Sequence, residues 1–392
     1  MEYFADLHIH IGQAKKRPIK ITASRNLTLD NIYDCCLNRK GIDIIGIVDC
    51  ASPYVLEEIA EQLKTGVVSP LDGGGLRYKD KLTIILGAEI ETTEEKGVAH
   101  SIAFFPYYEQ IKEFSTIVSA YITNITLSSQ KARLSAKDLF KIVWGLGGEL
   151  VPAHVFTPFK SFYGSCYDRL SLAFEDKIDY ITAIELGLSA DTDFADTIVE
   201  LSDKAFLSNS DAHSLEKIVR EYNKMNLKFP DFNNVFSALR HLDNNCIIAN
   251  YGLNPKLGKY HRTFCPVCSN ISKGTPPVTK CLNCNNETVT LGVLDRITLI
   301  ADYKMPIHPK HRPSYHYQIP LEFIPGIGKK TIEKLLLNFG TEMDVIHNTD
   351  IKELSEVIGE QKAKNIVLAR EGKLNLQVGG GGFYGKVINR NE

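Results

Sequence analysis

The sequence has few of the features that mark a membrane protein, a secreted protein or a protein covered in positive charge. No apolar run among its 392 residues approaches the roughly 20 residues that a transmembrane helix needs, so we expect no membrane partner. The formal net charge is only −2, so a nucleic-acid surface would have to be a local patch. An apolar strand pattern starts at Tyr3 and leaves no room for a signal peptide, which predicts a cytoplasmic protein.

Cysteine is present in an odd number, nine, which argues against a disulfide framework. Four of the nine are clustered as Cys265-Pro-Val-Cys268 and Cys281-Leu-Asn-Cys284. Two Cys-x-x-Cys pairs at this spacing can place four thiolates tetrahedrally around one ion. The cluster therefore predicts one structural zinc in a small module over residues 253–300.

The chain begins with a candidate metal-binding strand. Tyr3, Phe4 and Ala5 form a short apolar run, and Asp6, His8 and His10 follow at alternate positions. Alternate side chains of a strand share a face, so these three groups point into one space. Imidazole and carboxylate together suit zinc, manganese or iron.

Apolar strands and helical segments then alternate as far as residue 215, and polar side chains gather where the strands end. This alternation predicts a parallel sheet buried on both faces. In closed α/β barrels the strand ends meet at one rim, which carries the active site. We therefore expect a site with several metal ions built from seven side chains: His8, His10, Glu89, His100, His154, Asp211 and His213.

The Asp-x-His-x-His start, Glu89, the single histidines and the closing Asp211-Ala212-His213 resemble the PHP (polymerase and histidinol phosphatase) family. The resemblance implies a distorted seven-stranded (β/α) barrel over residues 1–252 that hydrolyses phosphoesters with two or three divalent ions (Zn, Mn or Mg). It implies that Glu89 bridges two ions and that Asp211, Glu89 and His213 act in catalysis. One ion would be held by His8, His10, Glu89 and Asp211, the other by Glu89, His100 and His154.

The sequence departs from the family pattern at the third ion. The family often has a histidine about five residues after the first pair and another after the second strand, but here Lys15 or Lys16 and Asp49-Cys50 stand there. We expect two firm sites, with His213 and Asp49 offering a weaker third. Glu185 at its strand end, like Asp6, is a residue that supports the ligands, and an N-cap role for Glu185 is an equal alternative.

An aromatic loop follows His154 directly. It contains Phe156, Phe159, Lys160, Phe162 and Tyr163. Such rings often only anchor a loop to the core, but beside a phosphoester site they can stack on a base while the lysine meets backbone phosphate. Both interpretations stay open at this stage.

The last third of the chain has the character of a nucleic-acid-binding region. Residues 301–320 form a basic, aromatic linker, or alternatively a platform for single strands. Residues 321–392 are predicted to be helical with a flexible tail from Gly379 onward. Ile324-Pro-Gly-Ile-Gly-Lys-Lys-Thr331 resembles a helix-hairpin-helix motif, in which Gly326, Gly328, Lys329 and Lys330 would contact DNA phosphate.

The order of barrel, zinc module and hairpin region resembles the endonuclease Q family along essentially the whole chain. The resemblance implies a metal-dependent DNA repair endonuclease that nicks on the 5′ side of uracil, hypoxanthine, xanthine or abasic nucleotides. Two alternatives remain: a phosphatase for small phosphomonoesters, and a non-catalytic DNA-binding partner of replication or repair proteins. The hairpin would contact damaged DNA or a protein such as a sliding clamp.

Overall fold

The computed structural model describes residues 1–388 and has the predicted mixed α/β class. The strands are β1 (Glu2–Ile9), β2 (Gln13–Ala14), β3 (Arg17–Pro18), β4 (Ile44–Ile47), β5 (Val68–Pro70), β6 (Leu76–Tyr78), β7 (Leu82–Glu94), β8 (Gly97–Phe105), β9 (Glu149–Pro152), β10 (Ala183–Glu185), β11 (Ala205–Leu207), β12 (Tyr222–Asn226), β13 (Cys246–Gly252), β14 (Ser314–Tyr317), β15 (Asn375–Gln377) and β16 (Lys386–Ile388).

Helices cover the outside of the sheet and make up much of the C-terminal region. They are α1 (Leu29–Asp34), α2 (Pro53–Thr65), α3 (Tyr108–Ser119), α4 (Ala136–Gly145), α5 (Ser171–Phe174), α6 (Thr192–Ala195), α7 (Phe232–Leu239), α8 (Val293–Ile300), α9 (Lys329–Phe339), α10 (Ile351–Ile358) and α11 (Glu360–Arg370). No helix among the described residues is long and apolar enough to cross a bilayer.

Seven strands form an irregular ring. β1, β4 and β7 run parallel, β8 and β9 follow antiparallel, and β10 pairs with β11 in parallel. The amide of Val155 donates to the carbonyl of Glu185 between β9 and β10, and a bridge between Ile9 and Ala212 closes the ring. The all-parallel sheet predicted from the alternation is therefore wrong at β8. This strand runs antiparallel to β7, so its first residues, and not its last, lie at the rim.

The apolar character of the strands explains why the ring is buried on both faces. All of Ile44–Ile47 is buried, as expected for a central parallel strand covered on both sides. Leu7, Val48, Ile85 and Ile102 join a cluster with α7, while most other helices pack against a larger cluster. The rigid sheet thus fixes the positions of the polar side chains at its rim.

Several boundaries differ from the sequence prediction. The last helical segment of the alternation, which the sequence pattern predicts over residues 194–203, is only the short α6 followed by a 3₁₀ turn at Val199–Leu201. Helix α8, assigned from the sequence to the zinc module, packs Val293, Ile297 and Ile300 into the barrel core. Its burial against the barrel, which spacing alone cannot show, makes the module and the barrel one packed unit.

Residues 301–320 do not form a free linker. The side chain of Arg312 is only 2% exposed, pairs with Asp196 at 2.8 Å and stacks 3.5 Å above the ring of Phe206. The following strand β14 extends the main sheet by pairing with β13. A buried arginine is unable to serve as a single-strand platform, so this alternative is wrong for Arg312.

The C-terminal region is helical as predicted, with α9, α10 and α11 around a separate apolar cluster. The segment expected to be a flexible tail instead forms a hairpin of β15 and β16. The amide of Gly379 donates to the carbonyl of Lys256, and that of Gly385 donates to Leu257. These bonds hold the segment against the barrel as far as residue 388; residues 389–392 of the predicted tail lie outside the described residues.

A buried carboxyl near the rim makes a testable contribution to stability. Glu221 is fully buried, its Oε1 accepts from the amide of Leu253, and its Oε2 has no protein partner in the described part of the chain. Burial, reinforced by the charges of Glu185 and Asp6, raises the pKa of Glu221 from 4.5 to about 8. The group is thus protonated in the folded state at neutral pH.

We expect Glu221→Gln to flatten the dependence of stability on pH. Because the folded pKa exceeds the unfolded one, the parent is stabilised by the bound proton below about pH 4.5 and loses that stabilisation by about pH 8. The loss amounts to on the order of 4 kcal/mol in the free energy of unfolding. Urea unfolding at several pH values tests this, with exposed Glu113→Gln as control; equal pH slopes for parent and Glu221→Gln would contradict it.

Candidate metal centre

The first candidate ligand set lies at the rim of the barrel and consists of His8, His10 and Asp211. Nε2 of His8 and Nε2 of His10 are 3.3 Å apart, and Oδ1 of Asp211 lies 3.6 Å and 3.4 Å from them. His8 lies on β1 and His10 directly follows its last residue, and the bridge between Ile9 and Ala212 brings the aspartate beside them. Atoms this close, all within 4.8 Å of one another, fit a single ion.

The second set consists of Glu89, His100 and His154. Oε1 of Glu89 lies 2.7 Å from Nδ1 of His100 and 3.3 Å from Nε2 of His154. The same carboxylate reaches the first set, with distances of 3.6 Å to Nε2 of His8 and 3.5 Å to Nε2 of His10. Glu89 therefore lies between both sets, where a bridging carboxylate would be.

Carboxylates behind the histidines orient them. Oε2 of Glu185 lies 2.9 Å from Nδ1 of His8, and Oδ1 of Asp49 lies 3.0 Å from Nδ1 of His10. A carboxylate on the far nitrogen fixes the tautomer so that Nε2 faces the ion. The contact with His8 favours the supporting role of Glu185 over its alternative as an N-cap.

Asp6 does not face the ligand sets, although its position on β1 predicted a shared face. Its carboxylate accepts from the amides of Ser210 and Val219, both at 3.0 Å. These bonds attach the segment that carries Asp211 to the first strand. Asp6 is thus a buried structural carboxylate, and the backbone amides explain why it turns away.

The electrostatics of the floor suit bound cations. Burial alone raises the pKa of Glu89, but His100 and Lys20 outweigh it and hold that pKa well below its usual range. Burial lowers the pKa of His8, yet Glu185, Asp211 and Glu89 raise it to about 10. Such a concentration of buried carboxylates requires positive charge, and divalent ions supply it where protons otherwise would.

The weaker third site expected at Asp49 and His213 stays a prediction, while the contacts of Asp49 place its carboxylate behind His10. Its carboxylate is used by His10, the amide of Ile11 and the hydroxyl of Ser128. Nζ of Lys20, a residue that sequence reasoning missed, lies 2.9 Å from Oε2 of Glu89 and brings a fixed positive charge to the floor. His213 lies beside the first set, with its ring centroid 4.6 Å from that of His10.

Two candidate ligands have unusual backbones. The φ angle is 32° at His154 and 45° at Asp211, in the left-handed region that residues with a Cβ rarely adopt. Gly187 passes so close to His154 that an added Cβ would lie 2.9 Å from the Cβ of that histidine. Packing around the rim therefore holds both ligands in strained conformations, a common feature of functional sites.

The aromatic loop contributes less to the cleft than its sequence suggested. Phe156, Phe162 and Tyr163 are at most 1% exposed, so the prediction that they contact DNA is wrong; they anchor the loop to the core. Phe159 is 53% exposed and lines the cleft. Lys160 also faces the cleft and pairs with Glu91 at 2.7 Å.

The ligand sets open into a cleft of about 470 Å³. Its wall also includes Lys217, Arg220, Lys259, Tyr260 and Tyr384, of which only Lys259, a basic neighbour of the cysteine cluster, stands out in the sequence. These residues come from distant segments and share no motif. No pattern in one sequence identifies them; only the fold brings them together.

The four cysteines of the predicted zinc module converge. Sγ of Cys265 lies 3.7 Å from that of Cys284, and Sγ of Cys268 lies 3.5 Å from that of Cys281. Tetrahedral zinc with bonds of about 2.3 Å places its sulfurs roughly 3.8 Å apart, so the geometry fits the ion. Backbone amides of Cys284 and Asn283 lower the pKa of Cys281, which favours the thiolate.

The residues predicted to contact DNA in the hairpin motif are exposed. Gly326 has a φ of +83° in the turn before α9, and Gly328 precedes the first turn of that helix with nothing within 4 Å of an added Cβ. Lys329 and Lys330 point to solvent. The free helix N-terminus and two lysines form a surface that suits phosphate.

Comparison with known proteins extends the similarity over the whole chain. The family of SAM-like helix-hairpin-helix tandems matches residues 319–371. The uncharacterized protein YqxK of Bacillus subtilis (strain 168) is 45% identical over 391 residues, which covers 98% of each chain.

Two crystal structures are also similar in fold and sequence. The lesion-specific endonuclease PfuEndoQ of Pyrococcus furiosus has a TM-score of 0.84 and 32% identity, covering 99% of this chain and 95% of that one. An endonuclease Q in complex with a 27-mer duplex with an abasic lesion at the active site has a TM-score of 0.85 and 32% identity, with 100% and 98% covered. The chain belongs to the endonuclease Q family.

Proposed function

We propose that this protein is a metal-dependent DNA repair endonuclease that nicks the phosphodiester on the 5′ side of damaged nucleotides. The observation that carries the proposal is the pair of adjoining ligand sets, which share Glu89 at the floor of an open cleft. The endonuclease Q with an abasic lesion at its active site, similar over the whole chain, supports the same substrate class.

Two divalent ions would be held by His8, His10 and Asp211 and by Glu89, His100 and His154. Ions at such positions polarise phosphoryl oxygens and lower the pKa of water. Glu89 fixes the two sets relative to each other, while Glu185 and Asp49 hold two of the imidazoles in place. Lys20 adds a fixed positive charge where negative charge develops on the phosphate.

The residues around the cleft suit a polymer better than a small phosphomonoester. The cleft is open, and the exposed ring of Phe159 and basic side chains extend well beyond the ligand sets. The helix-hairpin-helix tandem offers a second surface for phosphate that a small-molecule phosphatase does not need. We propose DNA, and not a protein partner such as a clamp, as the ligand of that surface.

The damaged nucleotides we propose are deoxyuridine, deoxyinosine, deoxyxanthosine and the abasic site. Opposite the partner of the original base, a deaminated base is mispaired and an abasic site is unpaired, which lowers the free energy needed to turn the nucleotide out of the stack. His8 and His10 are fully buried, so we propose that the nucleotide leaves the stack for its phosphate to reach the ligand sets. A turned-out nucleotide brings its phosphate to the floor and its base beside Phe159.

A denaturing gel of 5′-labelled duplexes tests the proposal. Duplexes with a single uracil, hypoxanthine or abasic site are incubated with Mg²⁺, Mn²⁺ or EDTA beside an undamaged control. We expect one product that ends immediately 5′ of the lesion, absent with EDTA and absent from the undamaged duplex. Turnover of a chromogenic phosphomonoester with every damaged strand intact would instead indicate a small-molecule phosphatase.

The exposed ring of Phe159 is expected to support lesion preference. Phe159→Ala removes a surface on which a base can stack, a contact worth about 1–3 kcal/mol. We expect the ratio of nicking rates on damaged and undamaged duplexes to fall about tenfold, with metal content unchanged. Phe229, which is 55% exposed but does not line the cleft, provides the matched control as Phe229→Ala. An unchanged ratio in Phe159→Ala would contradict this role.

A further inference from the structure

The wall of the cleft above the candidate metal centre has a concentration of positive charge that the proposed chemistry does not use. We call Lys217, Arg220, Lys259 and Tyr384 the basic wall; all four line the same cleft as Asp211 and Glu89. The four residues come from three separate segments of the chain. Their convergence at one place indicates a binding site for a ligand.

Arg220 links the basic wall to the metal centre. Its side chain is buried, and Nε donates to the carbonyl of Ser210 at 2.6 Å while Nη2 donates to that of Asp211 at 3.2 Å. Nη1 donates to the hydroxyl of Tyr384 at 2.9 Å. The guanidinium therefore holds the backbone of a candidate ligand on one side and the tyrosine on the other.

Tyr384 is held in place by the C-terminal hairpin. The amide of Gly385 donates to the carbonyl of Leu257, and the amide of Gly382 donates to that of Lys259. Nζ of Lys259 lies 4.7 Å from the ring centroid of Tyr384. Since its hydroxyl oxygen accepts from Arg220, the O–H of Tyr384 is free to donate to an acceptor in the cleft.

The cations of the basic wall lack matching anions. Within residues 1–388, no carboxylate lies within 4.0 Å of the charged nitrogens of Lys217, Arg220 or Lys259. The acidic charges that act on Lys217 are those of Asp211 and Glu322, at longer range. Burial and then the charges of Arg220 and Lys259 lower the pKa of Lys217, as expected where like charges crowd together.

We propose that the basic wall is a binding subsite for a second backbone phosphate, next to the phosphate that is cleaved. This inference rests on the proposed function. Nucleic acid carries a charge at every nucleotide, so a strand with one phosphate at the floor must pass its neighbour along the wall. Two ammonium groups, a guanidinium and a tyrosine hydroxyl donate in the manner that a phosphodiester accepts, without reading the base.

Neutral phosphates test the subsite directly. Lesion duplexes are made with a single uncharged methylphosphonate at each of three positions on either side of the scissile phosphate. Their affinities are measured for Asp211→Asn protein that also carries Lys259→Met, Lys217→Met or Tyr384→Phe. Lys112→Met, an exposed lysine that does not line the cleft, is the matched control, and thermal unfolding verifies that each variant is folded.

We expect Lys259→Met and Lys217→Met each to weaken binding to the unmodified lesion duplex about tenfold and to reduce the salt slope by about one. Tyr384→Phe, which keeps the ring and loses the donor, is expected to weaken it about threefold. At one methylphosphonate position, the Asp211→Asn protein with an intact basic wall should lose as much affinity as a lysine substitution costs on the unmodified duplex. The lysine variants should lose no further affinity at that position. The subsite would be overturned if the effects of the methylphosphonate and of the lysine substitutions on the binding free energy added fully at every position. It would also be overturned if neither lysine variant lost affinity.

The experiment separates failure of the subsite from failure of the proposed function. Nicking of the unmodified lesion duplex by the protein with Asp211 intact reports on the activity, and coupling to one methylphosphonate reports on the wall. Nicking with no coupling would refute the subsite alone. Absence of nicking on every damaged duplex would refute the proposed function, whatever the affinities show.

Discussion

Asp211→Asn is expected to abolish lesion nicking while duplex binding is kept. Oδ1 of Asp211 brings negative charge to the set with His8 and His10, and a neutral amide binds a divalent ion far less well. Loss of a residue behind a metal ligand costs about 10–100-fold, so loss of a ligand itself should exceed about 100-fold. Single-turnover nicking with bound metal counted per chain measures the effect.

Glu185→Gln provides the matched comparison because it changes a carboxylate that contacts the candidate ligand His8 and belongs to neither ligand set. Its Oε2 lies 2.9 Å from Nδ1 of His8. We expect a loss of about 10–100-fold in metal affinity that higher metal concentration restores, whereas Asp211→Asn stays inactive at any concentration. Full activity of Asp211→Asn in excess metal would show that this carboxylate is no ligand.

Cys281→Ser is expected to remove one zinc per chain and to unfold the module around it. Structural zinc contributes about 10–16 kcal/mol of binding free energy in small modules, and that energy is folding energy. The buried carboxylate of Asp295, which accepts from Arg262 and from the amides of Thr263 and Val278, joins the module to α8. We expect the barrel of the variant to stay folded when the module unfolds.

Metal analysis and limited proteolysis measure this prediction. We expect the first cuts between residues 265 and 290, and a fall in nicking because the ring of Phe264 packs under Gly381 of the hairpin that carries Tyr384. Cys246→Ser, at a half-buried cysteine of β13, should keep its zinc. Equal zinc content in the two variants would rule out the cysteine cluster as the zinc site.

The ligand residues could be predicted from sequence because their chemistry is tied to a short-range pattern. His8 and His10 follow the period of a strand, and His154 directly follows an apolar run, whereas Asp211 stands in the closing Asp-Ala-His sequence. The strand that contains His100 could be predicted but its antiparallel direction could not, because the direction of a strand depends on its neighbours and not on its residues. Chemistry carried by one strand is visible locally, whereas topology is not.

The remaining differences have the same origin. Nothing in the loop after His154 distinguishes the exposed ring of Phe159 from the buried one of Phe162. Lys20 reaches Glu89 across a separation of 69 residues, and Tyr384 reaches Arg220 across 164. Contacts of this kind depend on the assembled fold and leave no periodic trace in the chain.

The positive φ angles at His154 and Asp211 lower the stability of the fold at two residues that the proposed activity needs. A residue held in this region costs of order 1–3 kcal/mol, and glycine at either position would relieve that cost while removing a candidate ligand. Screens that select only for heat resistance would therefore enrich inactive proteins with changes at these two positions. Substitutions that raise stability without loss of activity have to be made elsewhere in the molecule, for example at the buried carboxyl of Glu221.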